Sequence, residues 1–198
     1  MWLPRARFEA QTEIVEVMSR PGASVFVRVF GSLSVTIGDR VLGPKDLGGT
    51  KPRQIFELLL LNHRAVSKEE LTESIWGRRP PVAPFATLET YVSVLRSALQ
   101  PGVHRDESLI ATVPGGYRLV RDRAVIDVDR FDEITRTLSM IAEHERAVAL
   151  CEAAALARGR LLENEPYVEW IQAERRHYER QRLEVLVGAA EACAAAGD

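Results

Sequence analysis

Pro84-Phe85-Ala86-Thr87-Leu88-Glu89-Thr90-Tyr91-Val92-Ser93-Val94-Leu95-Arg96-Ser97-Ala98-Leu99 carries apolar residues at Phe85, Leu88, Val92, Leu95 and Leu99, three and four positions apart. That spacing predicts an amphipathic helix, ended by Pro101-Gly102. Its other face presents Thr87, Thr90, Tyr91, Val94 and Ser97, with Ser93 and Arg96 on the flank. Solvated helix faces favour Lys and Glu, whereas this one is nearly uncharged. Short hydroxyls and a flat aromatic suit close approach to a DNA groove about 12 Å wide. Taken alone, the pattern fits either a groove-reading face or an ordinary solvated one.

Working backwards, Pro52 with Ile55, Leu58 and Leu59 marks a first helix, and Ser67 with Glu70 forms a capping box for a second that stops at Gly77. Arg78-Arg79-Pro80-Pro81-Val82-Ala83-Pro84 is an irregular loop. Still earlier, Val25–Phe30, Ser34–Ile37 and Val41-Leu42 read as short antiparallel strands broken at Gly31 and Gly38-Asp39. Forward of the quoted helix, residues 109–113 and 117–120 flank Pro114-Gly115-Gly116 as a tight hairpin. The order is strands, three helices, hairpin. Residues 5–18 read as a separate short helix, and helices are expected over about 129–142, 145–159 and 167–196.

Charge divides along the same line. Residues 24–123 hold 14 Lys+Arg and 10 Asp+Glu, against 9 and 15 in residues 124–198. A basic block followed by an acidic one argues for two domains with different partners. The only cysteines, Cys151 and Cys193, read as small buried apolar residues in Ala-rich helices of a reducing cytosol. No apolar run approaches the length that spans a bilayer, and Met1-Trp2-Leu3-Pro4-Arg5 is followed by no secretory h-region. A cytoplasmic protein without membrane association is expected. Motifs for phosphate loops, zinc proteases, thiol redox pairs and serine hydrolases are missing, and His63, His104, His144 and His177 are scattered. Acid pairs such as Asp127/Asp129 carry no signal in a chain with 28 acids. Neither an enzyme nor a cofactor or metal site is expected.

Several segments together are similar to a known family. Lys51-Pro52-Arg53-Gln54, Ser67 to Leu71, Ile75-Trp76-Gly77, Thr90 to Arg96 and Pro114 to Leu119 resemble the OmpR/PhoB-type winged helix-turn-helix. With Ile126-Asp127-Val128-Asp129-Arg130-Phe131 and Trp170 to Arg175, the chain resembles the Streptomyces antibiotic regulatory protein family. That family joins the winged helix to an all-helical bacterial transcriptional activation domain. The resemblance implies an α+β winged helix-turn-helix at residues 24–123, after an extension at 1–23. It further implies an all-α, helical-repeat (TPR-like) domain at 124–198, incomplete because the family's domain runs longer.

By the same resemblance the protein is a transcriptional activator acting on double-stranded promoter DNA, often at direct repeats, as a homodimer. The loop holding Arg78 and Arg79 would contact RNA polymerase. The DNA-binding set is Thr87, Thr90, Tyr91, Ser93, Val94 and Arg96 on the helix, with Gly115, Gly116, Tyr117 and Arg118 in the hairpin. Lys51 and Arg53, at a helix start where the dipole favours anions, would hold phosphates. Two departures stand out: Val94 where relatives commonly carry a cation, and Pro114 where many carry Arg. The competing reading is a protein-interaction adaptor whose winged helix no longer binds DNA.

Overall fold

A computed structural model of the chain describes residues 25–197. The helix expected over 5–18 lies outside them. The described residues form two compact units: residues 25–26 with Ser34–Ala124 make one, while Val27–Leu33 joins the segment from Val125 onward in the other.

In the first unit, β2 (Ser34–Ile37) and β3 (Arg40–Leu42) pair antiparallel, with Val35 opposite Leu42. Helix α1 (Thr50–Leu61) is buried along Gln54–Leu60 and forms the unit's centre. The run Leu58-Leu59-Leu60-Leu61 is thereby explained: a helix apolar on most sides must be surrounded. The two-residue strand β4 (Val66–Ser67) leads into α2 (Lys68–Trp76), whose first turn is capped by Ser67 Oγ accepting from the Glu70 N–H at 3.1 Å. Only that half of the capping box matches expectation, because the Glu70 carboxylate is held by Arg64 at 2.7 and 2.9 Å. Gly77 closes α2 at φ 53°.

Helix α3 (Pro84–Leu99) starts on Pro84 and buries Leu88, Val92, Leu95 and Leu99. Phe85, counted in that stripe from its spacing, is 42% exposed, since the first turn overhangs the core. Strands β5 (Ile110–Val113) and β6 (Gly116–Leu119) form the hairpin, and β4 adds to β6 to complete a three-stranded sheet in the order β4-β6-β5.

The second unit is mostly helical: α4 (Asp127–Thr137), α5 (Glu143–Leu156) and α6 (Gln172–Gly197). Strand β1 (Val25–Arg28) runs beside β7 (Ala124–Ile126). The expected helical character holds, while a repeat is not evident from these three helices. Their bounds are shorter than expected, because residues 157–171 are irregular. That segment is held by buried Arg175, which donates to the carbonyls of Leu161 at 2.9 Å, Leu162, and Pro166 at 3.3 Å. Backbone bonds from Gly31 to the Arg160 carbonyl (2.8 Å) and from Leu162 to that of Val29 (2.8 Å) pin it to the 27–33 stretch. Phe30, Phe131 and Tyr178 meet edge-to-face at 5.1, 5.7 and 6.3 Å between centroids.

Cys151 and Cys193 are exposed, which corrects their reading as buried apolar residues. The helices carrying them bury Leu150, Ala153, Val185 and Ala189 instead. Among the described residues, no helix is long and apolar enough to cross a membrane.

Candidate nucleic-acid interface

Packed on α1 and α2 through its apolar stripe, α3 holds its opposite face outward. Thr90, Ser93, Val94 and Ser97 are exposed, while Thr87 and Tyr91 are partly covered. Thr87 Oγ1 donates to the Ala83 carbonyl at 2.9 Å and Thr90 Oγ1 to that of Ala86 at 3.0 Å. Each hydroxyl proton is thus engaged by its own helix, which turns the lone pairs outward as acceptors. Tyr91 stacks on Trp76 at 6.1 Å and 25°, so its ring braces α3 against α2. Val94 is 37% exposed. Its other side rests on Gly48, where a Cβ would lie 2.2 Å from Val94 Cγ1; φ is +79° there.

The cations are arranged differently from their reading in sequence. Lys51 Nζ donates to the Ile75 carbonyl at 2.5 Å, in the last turn of α2. Arg53 reaches the Pro44 carbonyl at 3.4 Å and the buried Glu57 carboxylate at 3.5 Å. Arg96 donates through Nε (3.0 Å) and Nη2 (2.7 Å) to the Ile110 carbonyl, and to Thr112 Oγ1 at 2.9 Å. Its guanidinium carbon also lies 6.0 Å from the Tyr117 ring centroid. Arg121 caps the end of α1 at the carbonyls of Leu60 and Asn62, and Arg40 reaches Ala98 O at 3.3 Å in the last turn of α3. Cations at carbonyl-rich helix ends are favoured by both hydrogen bonding and the dipole.

Lys51 and Arg53 therefore sit in structural roles that the dipole argument at the start of α1 did not reveal. Arg118 does not. It is exposed on β6, with no partner shown among the described residues. Arg78 and Arg79 are likewise exposed in the loop before α3.

The hairpin requires a correction. Tyr117 is 1% exposed and belongs to the core, so its ring cannot meet a duplex without unpacking. Gly116 is buried for a reason internal to the fold: a Cβ there would stand 2.1 Å from the Val66 carbonyl oxygen. Gly115 remains at the exposed tip with φ +75°.

Along α3 and the segment that follows it runs a groove of about 390 Å³ lined by Glu89, Ser93, Arg96, Ser97, Gln100 and Arg105, among others. Arg105 was missed in sequence; it donates to Thr112 Oγ1 at 3.1 Å and remains exposed. Lys68, also missed, pairs with Glu89 at 2.5 Å, and that hydrogen bond raises the lysine and lowers the carboxylate from their ordinary values. No local spacing marks either residue. Of the groove's two arginines, Arg96 comes from α3 and Arg105 from the segment that follows it, and its serine hydroxyls come from α3. Among the described residues no group of three His, Cys, Asp or Glu side chains could hold a metal.

Residues 47–119 match the family described as "Transcriptional regulatory protein, C terminal". The transcriptional regulatory protein MoaR1 of Mycobacterium tuberculosis is 33% identical over 102 residues, which cover 46% of this chain and 33% of that protein. The regulatory protein AfsR of Streptomyces coelicolor is 36% identical over 115 residues, 56% of this chain and 10% of that one. Regulatory protein DnrI of Streptomyces peucetius is 31% identical over 90 residues, 42% of this chain and 33% of that one. The chain thus matches no more than about a third of these relatives' length. These matches bear out the resemblance to the Streptomyces regulators. Among solved structures, Mycobacterium tuberculosis EmbR in complex with a low-affinity phosphopeptide superposes with a TM-score of 0.73 at 24% identity, covering 88% of this chain and 46% of that one. That likeness extends the shared fold beyond the winged helix.

Proposed function

We propose that the chain is a sequence-specific, DNA-binding transcription regulator in which the exposed face of α3 reads the major groove. The observation that carries this reading is the face itself. Thr90, Ser93, Val94 and Ser97 stand clear on a helix locked to its core, and their oxygens accept while Val94 offers a methyl contact. Arg118 and Arg105 flank the face as phosphate contacts, and Gly115 leads the hairpin tip towards the neighbouring backbone. Lys51, Arg53 and Arg96 act on DNA through the geometry they hold.

Thr90→Ala and Ser93→Ala are expected to change the preferred bases at contacted positions by about 1–3 kcal/mol, with the melting temperature nearly unchanged. Arg118→Ala should weaken all sequences alike and shallow the salt slope by about one unit. Operator titrations at several salt concentrations separate the two effects. Unchanged preference in the α3 variants would remove that face from recognition.

Activation, in this reading, uses the loop of Arg78 and Arg79 as a contact for RNA polymerase. Its exposure supports the role: Val82 is fully exposed, and both arginines project from an irregular segment. Replacing both arginines with Ala should reduce transcription in a purified system while operator affinity stays within about twofold, since neither lies on the reading face. Equal loss of both activities would make them DNA contacts. The helical unit supports pairing of two copies on direct repeats in the cytoplasm, because one short reading helix binds weakly alone and linkage raises effective concentration.

An adaptor that holds a protein through the same surface is the second reading. The engagement of Arg96 favours it, since α3 then presents no unpaired cation of its own. Salt-insensitive behaviour towards random duplex DNA would distinguish it.

A further inference from the structure

We propose that Cys151 and Cys193 are an oxidisable dithiol, closed by a hydroperoxide into an intramolecular disulfide between α5 and α6. The two sulfurs lie 4.0 Å apart across 42 positions of sequence, and both residues are exposed. A disulfide needs about 2.05 Å between sulfurs, so closure requires a shift of about 2 Å, within reach of χ1 rotation in exposed side chains.

The approach of the helices is built into the packing. Gly188 of α6 lies against Leu150 of α5 so closely that a Cβ there would be 3.1 Å from Leu150 Cδ1. Leu150 precedes Cys151 in the chain, and Gly188 lies one turn and a half before Cys193. Ala153 and Ala189, both buried, keep the same contact thin. An Ala-rich pair of helices thus carries two exposed thiols side by side.

Burial, with the neighbouring Cys193 thiol, pushes the Cys151 thiol up from its ordinary value. In the closure proposed, Cys151 resolves and the attacking sulfur is that of Cys193. Its thiolate takes the distal oxygen of the hydroperoxide, the O–O bond breaks, and the departing oxygen leaves as water or alcohol after gaining a proton. The resulting sulfenic acid is attacked by Cys151, which loses its proton as the S–O bond breaks and a second water leaves. Two thiols are oxidised, one peroxide is reduced, and no other reactant is needed. The link closes a loop long enough to restrict the unfolded chain strongly.

The test uses the full chain, reduced, freed of reductant and treated with equimolar hydrogen peroxide. Expected are a loss of about 2 Da in intact mass, a joined Cys151–Cys193 peptide after proteolysis, and migration as a single chain without reductant. Cys151→Ser should instead leave a sulfenic acid at Cys193 that dimedone traps. Gly188→Leu, which spreads the helices, should slow closure at least about tenfold. Oxygen addition at both cysteines without the joined peptide, or a link between two chains, would overturn the proposal. So would closure in Gly188→Leu at the wild-type rate.

Discussion

Asp127→Ala lowers the stability of the helical unit by about 3–5 kcal/mol at neutral pH, the largest effect expected of any single change. The carboxylate opens α4 and accepts from the backbone N–H of Val29 at 2.9 and 3.0 Å, of Phe30 at 3.0 Å and of Val128 at 2.8 Å. It is 2% exposed, so alanine leaves three donors without a partner where water hardly reaches. Asp127→Asn should cost less. Its single oxygen keeps one side of the set, while its NH2 faces an N–H on the other.

The pH dependence is a second signature of the same residue. Burial pushes the carboxyl up to about 7, against the pull of the three backbone donors and Arg28. A carboxyl raised above its unfolded value of 3.8 contributes stability that is complete below that value and is lost as pH rises through about 7. The penalty of Asp127→Ala should therefore be larger at pH 5 than at pH 8. Urea unfolding of both variants at the two pH values checks this. A penalty under about 1 kcal/mol at both would show that the cluster is dispensable.

Gly116→Val is expected to remove about 3 kcal/mol or more from the winged-helix unit, and to take DNA binding with it. The obstacle is backbone throughout: a Cβ at 116 lies 2.1 Å from the Val66 oxygen, 2.9 Å from its carbonyl carbon and 3.0 Å from Ser67 Cα. Neither strand can yield alone, because Gly116 is registered opposite Ser67 and the next pair, Val66 and Tyr117, is in the core. Ser67 also caps α2, so displacement of β4 reaches the helix-turn-helix directly. Gly115→Ala provides the contrast. Nothing lies within 4 Å of its Cβ position, which leaves only the strain of φ +75°, about 1–2 kcal/mol. Thermal unfolding of the two variants, with operator affinity measured alongside, separates close packing from backbone strain. Equal small losses would mean that β4 and β6 can part without cost.

Much of the winged-helix unit was legible because its signals are local. The three-and-four spacing of Leu88, Val92, Leu95 and Leu99 gives α3 and its buried face, Ser67 gives the cap, and Pro114-Gly115-Gly116 gives the hairpin. What was not legible depends on distant partners. A two-residue strand such as β4 has no periodicity, and it exists because Gly116 lets β6 come close.

The interface follows the same division. Thr90 and Ser93 follow from helical phase alone. Lys51 looks like a phosphate ligand and Arg96 like a DNA contact in sequence, yet their targets are carbonyls 24 and 14 residues away. Tyr117 was misread because aromatic residues serve cores and interfaces alike. In the helical unit, residues 27–33 group with α4–α6 through bonds that span about 100 residues, and no composition shift announces them.

The central claim is that α3 reads base sequence, and selection from a random duplex pool by the full chain tests it most directly. Expected is enrichment of one short motif, repeated in the same orientation when two copies bind. Affinity for it should fall with salt by a log–log slope of about −0.9 for each phosphate contact. Thr90→Ala or Ser93→Ala should select a different base at one position of that motif. A pool that emerges unchanged, from a chain that is folded and shows no salt-dependent affinity for duplex DNA, would contradict the claim and assign the α3 face to a protein partner.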